Sequence, residues 1–125
     1  ALKVILEKMG RSVHELVYDF VEQREKKVNI DNIVYIENSL HRACFHLVEN
    51  DSEKEYAVYK KLNDIEQEIK EEKFVRIHQS FIVNMDYVCD VKRYYAKLVN
   101  GNELPVSKQR YKSVVWEYIK QKGEV

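Results

Sequence analysis

The 125-residue sequence holds only three glycines and one proline, and the glycines never cluster. It therefore lacks the glycine-rich loop that cradles a nucleotide phosphate and the nucleophile elbow of a hydrolase, and no catalytic role is expected. Cysteine is equally scarce. Cys44 and Cys89 each stand inside an apolar, strand-like run without zinc or redox spacing, which reads as buried, reduced thiols. His41, Cys44 and His46 lie close in sequence, but on a strand His41 and His46 point to opposite faces and only Cys44 shares a face with His46. A three-ligand metal site is not expected, nor is a cofactor. No apolar run approaches the roughly 18 residues that span a bilayer, and the N-terminus lacks the succession of a signal peptide. A cytoplasmic domain without a membrane partner is the expectation. Net charge is also missing: 21 Lys and Arg balance 21 Asp and Glu, whereas nucleic-acid binders usually carry a basic excess.

The charges that are present are segregated. Residues 49–72 hold nine acidic and four basic side chains, while 76–112 hold seven basic against three acidic, with His78 in addition. A neutral molecule with such a dipole can still orient and steer a polyanion. Short β-branched and aromatic runs predict strands at 16–21, 27–30, 33–37, 42–48, 55–59, 74–77, 81–83, 87–92, 94–99 and 103–106. Asn29-Ile30-Asp31-Asn32 and Glu49-Asn50-Asp51-Ser52 are the predicted turns, and Asn100-Gly101 suits a tight hairpin with Pro105 on an edge or bulge. Between Lys60 and Glu72 the period changes: Leu62, Ile65 and Ile69 recur at helical spacing, with Glu66 and Lys70 paired on the outer side. Tyr111, Val114, Val115, Tyr118 and Ile119 mark a final helix, with Ser107 as its cap. Residues 1–15 read as a linker or the remnant of an upstream segment, and 16–125 as one domain.

Two stretches carry the chemistry. The first runs Phe74-Val75-Arg76-Ile77-His78-Gln79-Ser80-Phe81-Ile82-Val83-Asn84, and the second Asn100-Gly101-Asn102-Glu103-Leu104-Pro105-Val106-Ser107-Lys108-Gln109-Arg110. Both mix strand formers with hydrogen-bond donors, a combination suited to phosphates and base edges at the rim of a sheet. Gln79 offers a donor and an acceptor to adenine, while His78 and Ser80 can reach phosphate oxygens. Lys108 and Arg110 precede a helix whose N-terminal amides favour anions. Polar turn residues and a charged helix start explain the same stretches without a ligand.

The two motifs, in this order and spacing, resemble the LytTR family of bacterial DNA-binding output domains, whose pattern is roughly F-x-R-x-H-R-S-F-x-V-N and then N-G-x-x-L-P-V-S-R. The resemblance extends from Asn32 through the C-terminal helix. It implies a mainly β (α+β) fold: about ten short strands in small antiparallel sheets, an amphipathic helix near 60–72 and a C-terminal helix. Loops, not a recognition helix, would enter the grooves of duplex DNA. It further implies phosphate anchoring by Arg76, Lys108 and Arg110, and base contacts from His41, Arg42 and Gln79, with His78 and Ser80 beside them. Promoter direct repeats, bent DNA, a receiver or sensory domain upstream and room for a dimer on DNA belong to the same picture. The chain carries Gln79 where the family commonly has Arg or Asn, and Lys108 where it has Arg; a lysine is a point charge better suited to phosphate than to bidentate guanine contact. Two rival readings stay open: a β-rich protein-interaction module docking through Tyr111, Trp116 and Tyr118, and a single-strand or RNA binder stacking bases on Tyr94 or Tyr95.

Overall fold

The computed structural model describes residues 15–123, so the segment read as a linker or upstream remnant lies outside the described residues except for Glu15. Strands β1 (Glu15–Phe20) and β2 (Gln23–Asn29) form an antiparallel ribbon. Strands β3 (Ile33–Ser39), β4 (Arg42–Glu49), β5 (Ser52–Val58), β6 (Phe74–His78) and β7 (Phe81–Asn84) make an antiparallel sheet in the order β5-β4-β3-β7-β6. Strands β8 (Val88–Lys92), β9 (Tyr95–Leu98) and β10 (Glu103–Pro105) make a second sheet in the order β10-β9-β8. Helix α1 (Leu62–Glu68) follows β5, and helix α2 (Tyr111–Tyr118) follows β10 and runs on into a π turn at Ile119–Gly123. Ten strands in small antiparallel sheets with two helices, among the described residues, match the expected mainly β class.

The five-stranded sheet packs apolar side chains on both faces because its strands alternate two apolar sets, while the first half of β5 stays exposed. Ile36, Phe45, Leu47 and Ile82 face one cluster, closed by Leu62, Ile65 and Ile69 of the α1 segment and by Phe20 and Val28 of the ribbon. Val83 and Ile77 face the other, completed by Val88, Ala96, Leu98 and Leu104 of the second sheet, by Val106 just after it and by Val114 of α2. Two matching 3-10 turns connect these layers. Asn29 and Asn84 each accept from the backbone N–H two residues on, Asp31 and Asp86, at 2.9 Å. Asn84, the one buried polar residue among those described, also donates to the Ile33 carbonyl at 2.8 Å. Lys73 pairs with both Asp31 and Asp86, bridging the two turns.

Several boundaries depart from the sequence reading. β2 and β5 begin earlier, at Gln23 and Ser52, because partner strands supply the pairing that charged residues do not signal locally: Lys26 and Lys27 face Tyr18 and Val17, and Glu53 and Glu55 face Val48 and His46. The first helix ends at Glu68, with Ile69 already extended, φ −92° and ψ 103°. Lys70 has left the helix, so the Glu66–Lys70 pair does not form and Glu66 meets Arg76 instead, at 2.6 Å. Pro105 sits on the edge strand β10, where a missing N–H costs no ladder bond, and Gly101 takes φ 96° in the turn before it. Cys44 is buried as expected, but Cys89 is exposed.

Candidate nucleic-acid interface

The candidate site lies where three connections meet at one end of the five-stranded sheet. The β3–β4 hairpin carries His41 and Arg42, and the β6–β7 turn carries His78, Gln79 and Ser80. Because β3 pairs with β7, their tips are neighbours, and the Asn38 N–H donates to the Ser80 carbonyl at 2.9 Å. The segment after β10 joins them through the Ser107 N–H, which donates to the Ile77 carbonyl at 2.9 Å. Residues 42 positions apart (38 and 80) and 30 apart (77 and 107) are thus held side by side by backbone bonds.

Side chains then divide by what they touch. His41 and Gln79 are exposed, and neither side chain has a recorded hydrogen-bond partner among the described residues. The Ser80 N–H donates to His78 Nδ1 at 3.1 Å, which leaves Nε2 as the donor of this half-buried ring. Arg42, Lys61, Arg93 and Lys108 make no ion pair among the described residues, whereas Lys60, Lys73 and Arg76 all do. Lys108 lies 5.8 Å from the centre of the Tyr94 ring, placing the β8–β9 turn beside the 106–110 segment. Arg93 and Lys61 therefore join this end of the molecule, although only the fold reveals it: neither belongs to either motif. Lys61 lines a shallow groove with Asn38, Asn63, Arg76 and Gln79.

Arg76 is placed differently from the phosphate anchor expected of it. Its side chain is only 7% exposed, and its guanidinium donates to the carbonyls of His78 (2.8 Å) and Gln79 (2.6 Å), to Asn63 (2.9 Å) and to Glu66 (2.6 Å). All three nitrogens are engaged inside the protein, so Arg76 fixes the β6–β7 turn against α1. Arg110 lines a groove whose walls include Glu66, Glu72 and Glu117, a setting that opposes a phosphate. The start of α2 is likewise partly occupied: the Arg110 N–H reaches the Ser107 carbonyl and hydroxyl, at 3.1 and 3.3 Å, and the Tyr111 N–H reaches the Lys108 carbonyl. Ser107 thus caps the turn that leads into α2, one step before the helix itself.

The aromatic residues of the rival readings differ in how far they are engaged. The Tyr118 hydroxyl donates to the Cys89 carbonyl at 2.9 Å, and Tyr111 packs edge-on against Tyr94 with ring centres 5.3 Å apart. Trp116 alone of the proposed docking trio is exposed, at 61%. Tyr94 meets Tyr111 and Lys108 yet stays 40% exposed, so its ring is only partly covered.

The structure is similar to a solved LytTr DNA-binding domain of a putative methyl-accepting/DNA response regulator from Bacillus cereus, with a TM-score of 0.65 and 23% identity over 88% of this chain and 98% of that one. That likeness speaks for the fold. No curated protein matches the chain. The family model described as LytTr DNA-binding domain matches residues 23–116, from β2 into α2 and including the three connections gathered at the sheet end, and the chain belongs to that family.

Proposed function

We propose that the chain binds duplex DNA as the output domain of a transcriptional regulator, through the sheet end formed by the β3–β4 hairpin, the β6–β7 turn and residues 106–110. The observation that carries the reading is the convergence of unpaired donors and cations on connections joined by the Asn38–Ser80 and Ser107–Ile77 backbone bonds. His41, Arg42 and Gln79 read base edges; His78, Ser80 and Lys108 hold phosphates, with Lys61 and Arg93 extending the cationic rim. Arg76 positions Gln79 from behind, and Arg110 serves at the flank. Direct repeats in promoters, with the DNA bent between successive grooves, suit a site built from short loops on a rigid sheet, and a receiver or sensory domain upstream would set its activity.

Titration of the chain with duplex and single-stranded DNA across a salt series tests this. Each phosphate neutralised adds about −0.9 to the slope of log affinity against log salt, so roughly three to six contacts give a clearly negative slope. Lys108→Ala should weaken cognate and scrambled duplex alike and flatten the slope by about one unit, whereas Gln79→Ala should lower the ratio between them. Binding that ignores salt, or that favours single strands over every selected duplex, would sink the reading.

A further inference from the structure

The tip of the β3–β4 hairpin carries a side chain with no role so far. Leu40 is 80% exposed and belongs to neither apolar cluster. Ser39 pairs with Arg42, so the loop is two residues long, and both of them take positive φ: 52° at Leu40 and 66° at His41. Such a turn matches the twist of the strands but is normally built from asparagine, aspartate or glycine, because a bulky side chain resists the left-handed region. The same sheet provides its own comparison. The β4–β5 hairpin, with Glu49 paired to Ser52, makes a turn of the same length with Asn50 and Asp51 at φ 51° and 62°. Folding therefore gains nothing from a leucine at the first hairpin, in backbone conformation or in contact with water.

We propose that Leu40 is a specificity-determining residue of the interface, an apolar contact for the 5-methyl group of a thymine in the major groove. The inference rests on the DNA-binding reading and deepens it. A two-stranded ribbon fits the major groove, and the thymine methyl is the apolar group that base pairs display there. Hydrogen-bonding side chains stand on either hand, His41 and Arg42 on the same hairpin and Gln79 on the adjoining turn. They supply the polar part of a base-pair pattern, and Leu40 the apolar part. The two-residue turn and the Asn38–Ser80 bond keep the leucine from drifting relative to those donors.

Duplexes selected from a random pool by the 125-residue chain would be remade with deoxyuridine for thymine, one position at a time, removing the methyl group alone. One replacement should weaken binding about fourfold, the effect of a single methyl-sized group taken out of water. Leu40→Ala and Leu40→Asn, the second keeping a residue that tolerates the left-handed turn, should show that loss on the thymine duplex and no further loss on the uracil duplex. Uracil replacements that never matter, or that weaken wild type and both variants equally, overturn the proposal. So does a loss of DNA bending in Leu40→Asn without any uracil effect, the mark of a wedge between base steps. Selection that enriches no duplex defeats the DNA-binding reading and this inference with it, while salt-dependent duplex binding without a methyl effect defeats the contact alone.

Discussion

Arg76 shows how an exposed-type residue in a recognition motif acquires an internal task. Its planar fork meets two carbonyls of the turn that presents Gln79 and two side chains of α1, so removing it leaves acceptors without donors and loosens the turn. Arg76→Ala should destabilise the protein by about 1.5–3 kcal/mol, the range for hydrogen bonds to a charged group. At a temperature where the variant stays folded, it should lose discrimination between cognate and scrambled duplex while keeping the wild-type salt slope. A slope flattened by one unit in the folded variant would restore the phosphate-anchor role. Arg76→Lys should recover little, since an ammonium cannot span four acceptors set around a plane.

At the scale of elements, α1 braces the sheet through two buried residues, Leu62 and Ile65, and Ile65 is fully enclosed. Ile65→Ala should cost about 2–5 kcal/mol in urea denaturation, with the binding preference of the folded protein unchanged. A changed preference would mean that α1 reaches DNA directly. Most elements were legible from sequence wherever the period was undiluted: Leu62 and Ile65 sit on the buried helix face that their spacing predicts, and Ile69, just past the helix end, is buried in the same cluster. Legibility failed where a strand is built by its partner. The residues Ser52, Glu53 and Lys54 have no strand signal of their own, and β5 forms there because β4 supplies the ladder. The candidate site was legible as two motifs but not as one surface, because adjacency of residues 38 and 80 depends on β3 pairing with β7 across the intervening helix. The internal bonds of Arg76 were hidden for a related reason, since its four acceptors come from β6, the following turn and α1 together.

For the whole molecule, the ion pairs and tyrosines away from the sheet end set how stability responds to alkali. Burial first, then the hydrogen bond to Glu68 and its charge, pushes the Tyr18 hydroxyl far above its ordinary value. Burial and the Asp86 charge raise Tyr87. Burial works against the Lys73 charge, yet its bonds to Asp31 and Asp86 outweigh that and raise it too. A group held above its unfolded value keeps its proton longer in the native state. Its contribution is complete below the unfolded value, near 10 for these residue types, and is lost as pH rises through the folded value. Urea midpoints should therefore hold roughly level from about pH 7 to 9 and fall above about pH 10. Tyr18→Phe should shallow that fall; an unchanged alkaline slope in the variant would mean that Tyr18 does not contribute to it.

The two bonds that join the tips, from Asn38 to Ser80 and from Ser107 to Ile77, run from main chain to main chain. No side chain at positions 40, 41, 79 or 108 takes part in either one. The spacing of the tips is thus inherited with the sheet, while their chemistry is free to vary. An arrangement of this kind separates heredity of shape from heredity of surface: the tips can exchange side chains through a handful of substitutions without passing through a misfolded ancestor.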